Sequence, residues 1–501
     1  MTVEAPPPTP PRPSLASTAQ LAIFGAIYST GSTYFLQIAA LVAGVALARL
    51  VDPVAFGTLA LAITIYEFVS RIRLFGLNQI LMARSSSDET DRSTHFGLTF
   101  GLSLAALGVT LLAAPLLARL YPPETIAVLI VIAALALLDQ EGLSATPDTL
   151  LRQAMRYRQI AVLDVSSGLL SMTAAVAAAV AGWGVWALVV RQAVDVLVRF
   201  VGSWLMSGWR PSRWPVLGRA REFMRAGAHL WLGGVSSLIS FRYDDFLVGT
   251  LVGIPALGFY TRAFDYAKLP MGPLAGIYAV SLPTFARLKD DRQALSRAYN
   301  LFLDSIALFA IPASIWLAIV APEFVEGIIG PRWAPMIPLV RLLIPFAILR
   351  PILDGTGGIP IVAGKPEVRS KQAFLESAVM LIAGTILIFR FGAIGAAVSA
   401  GLVVLATLIG LYFWYVKDSL DIAWRRTFLA PIVGVAVAAG ATYALGLYIE
   451  GWSALARLGI KTGVFGIVFG VVLLLIHRAV LAEIFSLLVA AWQHRLEEQN
   501  H

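Results

Sequence analysis

Apolar stretches about as long as a bilayer is thick recur along the chain, separated by short polar interruptions. A hydrocarbon core takes about 20 helical residues to cross. On that window the pattern predicts about 14 transmembrane helices, near residues 22–47, 56–82, 96–119, 124–142, 160–180, 184–206, 228–252, 256–284, 298–320, 335–362, 370–388, 393–416, 428–449 and 455–476. The outer connections are short, the longest running from Pro322 to Ala334, so no extracellular domain is expected. On the inner side Ser144–Arg158 sets Leu150, Leu151 and Met155 beside Arg152, Arg156 and Arg158, the pattern of an amphipathic helix lying on the membrane surface. Ala482–Arg495 reads the same way after the last span.

Composition supports this reading. Of 501 residues 58% are hydrophobic and 14% charged, with a mean hydropathy of +0.78, whereas a soluble protein carries about 25% charged residues. The expected fold is therefore an all-α polytopic membrane protein, since helices and closed barrels alone satisfy the backbone in lipid. The absence of cysteine excludes disulfides and thiol-ligated metal sites. No phosphate-loop motif occurs, and the five histidines lack metal-ligand spacing. A transporter without cofactor or metal is thus expected, rather than an enzyme. Residues 1–20 include APPPTPPRPS, which reads as a disordered tail without the pattern of a cleaved signal peptide; the first helix is expected to act as its own insertion signal. The net charge of +8 follows orientation rather than nucleic acid. Basic residues such as Arg152, Arg156, Arg158, Arg210, Arg213, Arg219, Arg221 and Arg225 collect in segments of one side, while the other side holds only Arg49, Arg119, Arg332, Arg390, Arg457 and Lys461. Basic loops stay cytoplasmic, which places both termini inside.

An internal repeat organises the spans. Leu50–Gly57 (LVDPVAFG) resembles Leu251–Gly258 (LVGIPALG), Ala161–Asp164 resembles Ala373–Glu376, and the turn around Gly184 resembles that around Gly395. The near-constant offset predicts a duplicated six-helix unit, both copies in one orientation, with a substrate site between them near the midplane. The expected division is a disordered cytoplasmic tail (1–20), an N-lobe (21–207), a cytoplasmic linker (208–227), a C-lobe (228–416), two further helices (417–477) and a cytoplasmic amphipathic tail (478–501).

Ionisable residues inside predicted spans are the candidate chemistry, because burying charge in a membrane is costly and marks transport paths. The densest stretch, Phe241–Pro270, holds Arg242, Asp244, Asp245, Arg262, Asp265 and Lys268, with the acids of one helix facing the bases of the next. Glu67, Arg71 and Arg73 occupy the second span, Arg191, Asp195 and Arg199 the sixth, and Arg341, Arg350 and Asp354 the tenth. Four-residue spacing predicts pairing for Glu67/Arg71, Arg191/Asp195, Asp195/Arg199 and Arg350/Asp354. Basic groups then lie along the whole thickness, a series suited to a polyanionic headgroup because arginine meets phosphate bidentately and stays charged. The candidate substrate-binding residues are Arg71, Arg73, Arg191, Arg199, Arg242, Arg262, Lys268, Arg341 and Arg350. Glu67, Asp195, Asp244, Asp245 and Asp265 are candidates for ion coupling or pairing. The competing reading is interhelical ion pairs that fix packing. Asp164, Asp304 and Glu376 lie in the first turns of inner-side helices, where they read as helix-dipole partners. Asp354–Gly358 reads as a break in the tenth helix.

Ala48–Gly57, Asp245 with Leu251–Gly253 and Ala256–Tyr260, Pro270, Ser281–Phe285, Leu150–Arg152, Gly184–Leu188 and Ala363–Pro366 together resemble the polysaccharide transport branch of the multidrug/oligosaccharidyl-lipid/polysaccharide (MOP) flippase superfamily, the Wzx-type exporters. The likeness runs from about residue 20 to 415. The resemblance implies a two-lobed bundle with a cationic cavity in the bacterial inner membrane. The cavity would alternate between the two sides and turn undecaprenyl-pyrophosphate-linked oligosaccharide repeats to the outer leaflet for exopolysaccharide, capsule or lipopolysaccharide assembly. Membrane lipids and polysaccharide polymerase or export machinery are the implied partners. Two other functions compete: an ion-coupled multidrug exporter, which would favour an acidic cavity, and a membrane-embedded glycosyl polymerase or ligase, which would need sites at the outer face.

Overall fold

The computed structural model describes residues 15–73, 76–84 and 88–476, and every regular element among them is helical. The predicted tails at 1–14 and 478–501, with the amphipathic stretch Ala482–Arg495, lie outside the described residues. The expected disordered tail ends earlier than residue 20, because the first helix already begins at Leu15.

The first half comprises α1 (Leu15–Leu50), α2 (Pro53–Val69), α3 (Leu77–Ala83), α4 (Glu89–Leu117), α5 (Pro123–Leu135), α6 (Ala145–Gln153), α7 (Tyr157–Val180) and α8 (Val185–Ser207). The second comprises α9 (Leu217–Leu247), α10 (Ile254–Ala267), α11 (Ala275–Leu288), α12 (Arg292–Glu323), α13 (Ile337–Leu342), α14 (Ile344–Thr356), α15 (Ile359–Val362), α16 (Pro366–Val379), α17 (Thr385–Phe391), α18 (Ala393–Leu411) and α19 (Lys417–Ser419). An appended pair follows: α20 (Trp424–Gly446) and α21 (Ala454–Ile476). The α20–α21 hairpin packs on α12.

Helical segments occupy all the predicted spans, but length and apolarity alone identify eight membrane-crossing helices among the described residues, or ten if each bent pair is one span. Helices α2 and α5 are only 17 and 13 residues long, while α8 and α9 carry charges within their apolar stretches. The tenth predicted span is broken, with a 50° bend between Pro331–Leu342 and Ile344–Val362. Prolines explain its segmentation: Pro338, Pro345, Pro351 and Pro360 each lack the donor an uninterrupted helix needs. As the glycine run predicts, α14 ends at Thr356 and α15 resumes at Ile359. Two helix bounds differ from those predicted. The second span ends its α-helix at Val69 rather than reaching 82, and the seventh begins at Leu217 rather than near 228.

The amphipathic helix predicted on the inner surface is packed inside the protein instead. Ala145, Thr146, Pro147, Asp148, Thr149 and Leu151 of α6 are all buried. Thr146 Oγ1 lies 2.8 Å from His95 Nδ1, and Gln153 Nε2 donates to the Leu81 carbonyl at 2.6 Å. Its hydroxyls and carboxylate find protein partners, which removes the reason for that face to seek water.

The repeat is visible in backbone detail. Helices α2 and α10 each open with a proline in the first turn, where its missing N–H costs nothing. Gly184 and Gly392, which open α8 and α18, share unusual dihedrals of φ 54°, ψ −126° and φ 62°, ψ −136°, a region essentially reserved for glycine. The two halves meet where α2 crosses α10.

Candidate functional site

Two cavities lie along the seam and in the second half. The first, of about 640 Å³, is walled by Thr33 and Gln37 from α1, Phe56 from α2, Asp164 from α7, Arg191, Asp195 and Arg199 from α8, and Arg262 from α10. The second, of about 260 Å³, is walled by Arg242 and Asp244 from α9, Lys268, Arg350 from α14, and Glu376 from α16. Side chains from both halves of the chain thus share the larger cavity.

In the larger cavity Arg199 holds two carboxylates at once, with Nη1 2.6 Å from Asp164 Oδ1 and Nε 3.1 Å from Asp195 Oδ2. The predicted Asp195/Arg199 pair therefore forms, but Arg191/Asp195 does not, because Asp195 is already engaged. Among the described residues Arg191 is in no ion pair. Arg262 pairs with Asp265 at 2.7 Å and lies over the Phe56 ring, 4.6 Å from its centre, where the ring face attracts a cation. The wall thus presents three guanidiniums against two carboxylates.

A ionic triad joins the halves beside the smaller cavity. Arg242 donates Nε and Nη2 to Glu67 at 2.8 and 2.9 Å, and Nη1 to Asp245 at 3.2 Å. Glu67 is thereby committed across the seam, and the expected Glu67/Arg71 pair is not made; Arg71 Nε has no hydrogen-bond partner among the described residues. Lys268 shares the smaller cavity with Asp244, as the facing of the two helices predicts, but the direct contact to Asp245 comes from Arg242, and Lys268 lies over the Phe264 ring at 4.2 Å. Asp244 is buried and accepts from Tyr260 Oη at 2.5 Å; its Oδ1 is unpartnered. Arg350 pairs with Asp354 at 2.8 Å as predicted.

Glu67, Arg71, Arg73, Asp245, Asp265 and Arg341 line neither cavity, and two of them sit well apart from both. Arg73 is buried and pins the α5–α6 loop, bonding Asp139 Oδ1 and Oδ2 at 3.0 and 2.6 Å and the Ala136 carbonyl at 2.9 Å. Its guanidinium also lies over the Tyr66 ring. Arg341 is exposed and donates to the Ala318 carbonyl at 3.1 Å. In the same loop burial pushes the Glu141 carboxyl up to about 7, against the opposing pull of Arg73.

Asp164 and Glu376, read from sequence as helix-dipole partners, are instead cavity-wall residues, and Glu376 Oε1 is buried without a partner. Asp304 behaves as a structural group, accepting from Thr427 Oγ1 at 2.5 Å between α12 and α20. Asp139 has no signal in the sequence, and Tyr260 only its place in the Ala256–Tyr260 motif, because the roles of both come from partners on other elements. The nearest hint for Asp164 and Glu376 is their matched place in the repeat.

Where α1 leads into α2, the seam is tied shut by contacts between the halves. Arg332 Nη1 pairs with Asp52 at 2.9 Å and Nη2 donates to the Ala48 carbonyl at 2.9 Å. Arg49 returns the bond to Ile328 O and Gly327 O at 2.6 and 2.9 Å, and Trp333 Nε1 donates to Ala48 O at 2.8 Å. Tyr121 and Thr250 hydroxyls meet at 2.8 Å.

A family model described as "Polysaccharide biosynthesis protein" matches residues 46–338. The chain is 28% identical over 320 residues to the succinoglycan biosynthesis transport protein ExoT of Rhizobium meliloti (strain 1021), covering 62% of this chain and 64% of that protein, just under two thirds of its length. It is 24% identical over 450 residues to the lipopolysaccharide biosynthesis protein WzxC of Escherichia coli (strain K12), covering 87% and 89%. Among solved structures it resembles the lipid II flippase MurJ in an inward closed conformation, with a TM-score of 0.72 at 14% identity, covering 92% of this chain and 100% of that one, a likeness of fold.

Proposed function

We propose that this chain, which belongs to the polysaccharide biosynthesis protein family, the Wzx-type branch of the MOP superfamily, is a multi-pass flippase for lipid-linked oligosaccharides. Its substrate is an undecaprenyl-pyrophosphate-linked repeat, moved from the inner to the outer leaflet of the bacterial inner membrane for exopolysaccharide, capsule or lipopolysaccharide assembly, with both termini cytoplasmic. The lobes, residues 21–207 and 228–416, rock about the seam. Polysaccharide polymerase and export machinery would take the product.

The observation that carries this reading is the shared cavity with its basic excess, in which Arg191 has no acidic ion-pair partner among the described residues while Arg199 and Arg262 are held in place by theirs. A desolvated pyrophosphate needs cations that cannot lose their protons, and a preorganised guanidinium supplies one. The same excess disfavours a site for cationic drugs, and the short outer connections disfavour a polymerase. Outer-leaflet appearance of lipid-linked repeats, measured with the gene deleted and restored, tests the reading. Translocation that is unchanged by deletion sinks it, as would sugar transfer catalysed by the purified protein.

A further inference from the structure

The segment between the halves, Gly208 to Val216, runs down the first two turns of α4 rather than away from the membrane. Trp209 Nε1 bonds Glu89 at 3.0 Å, Arg213 Nη1 bonds Thr90 at 3.0 Å, and the Val216 N–H bonds Thr94 at 3.1 Å. Pro215 packs directly on Gly97, where an added Cβ would come within 2.4 Å of its ring. Gly97 lies about 30 Å along the helix from Leu117 at the outer end, which is about the thickness of a hydrocarbon core. The segment therefore rests at the inner boundary of the bilayer.

At that level it presents apolar side chains outward. Trp214 is 91% exposed and Leu217 82% exposed, in a protein that buries even its polar α6. Exposed arginines flank them, and Arg210 and Arg221 are in no ion pair among the described residues. Tryptophan beside arginine at headgroup depth matches a membrane interface, where the indole sits among the headgroups and guanidinium meets lipid phosphate.

We infer that the segment from Arg210 to Arg221 is a docking surface for anionic phospholipid headgroups of the inner leaflet, with Trp214 and Leu217 inserted and Arg210 and Arg221 on the phosphates. Placed at the joint between the lobes, it ties the hinge to the leaflet from which substrate is taken.

The chain has no cysteine, so Trp214→Cys introduces a single thiol for an environment-sensitive dye. The labelled full-length protein is reconstituted in vesicles of phosphatidylcholine and phosphatidylglycerol, with a nitroxide on the headgroup of one lipid or the other. Blue-shifted emission is expected, quenched more strongly when the nitroxide is on phosphatidylglycerol. Arg210→Gln and Arg221→Gln should each lower that preference by about fivefold, as should raised salt. Emission matching the free dye in water overturns the inference. So does equal quenching by the two lipids, or a blue shift that appears only when cytosolic protein is added.

Discussion

Gly57 and Gly258, repeat equivalents, lie back to back where α2 crosses α10: a Cβ on Gly57 would fall 1.9 Å from the Ile254 carbonyl oxygen, and one on Gly258 2.0 Å from that of Pro53. The obstacles are backbone atoms, which cannot swing aside as a side chain can. Gly258→Ala should therefore wedge the outer seam apart, with an overpacking cost of about 1–3 kcal/mol. The check is labelling of Ser171→Cys, on α7 where it lines the larger cavity, by a membrane-impermeant maleimide added outside. Labelling is expected to rise in the glycine variant; unchanged labelling would show that the crossing does not seal the outer side.

Arg191 should be more sensitive than Arg73 or Arg341 in a transport assay, because it lines the shared cavity with no ion pair among the described residues while they do not line it. Arg191→Gln is expected to lower export about tenfold or more, a loss of about 1.5–3 kcal/mol from a charge-assisted contact. Arg191→Lys should recover part of it, since the charge returns without the fork. Surface expression at wild-type level distinguishes this from misfolding.

The Arg242 triad couples the halves. Glu67→Gln and Arg242→Gln should be non-additive in thermal unfolding of the detergent-solubilised protein, with a coupling of about 1–3 kcal/mol. Additive effects would remove the ion pair as a link between the lobes.

Glu141 lies in the turn beyond α5, whose helix ends at Leu135, short of the predicted 142, and gives a pH dependence. Its folded pKa lies near 7, above the ordinary 4.5, so the proton is held more tightly in the folded protein. The stability it contributes is fully present below about pH 4.5 and is lost as the pH rises through about 7. Thermal stability measured from pH 5 to 8 should decline with a component that Glu141→Gln abolishes. A variant with the wild-type slope would place the titration elsewhere.

The chain by itself determined the all-helical membrane class and the family, because each depends on local hydropathy or on residues adjacent in sequence. Pro53 and Pro255 opening α2 and α10, or Arg350 four residues before Asp354, are legible for that reason: one helix fixes the geometry. The tertiary structure alone decided which charges share a cavity. Glu67 has Arg71 one turn away yet bonds Arg242, 175 residues on, since a carboxylate withdrawn from water takes the guanidinium that can reach both its oxygens. Packing likewise turned α6 inward, moved Asp164 and Glu376 into cavity walls and set Arg73 on a loop. Partner choice among buried charges depends on distances between helices, and a single sequence carries no record of those.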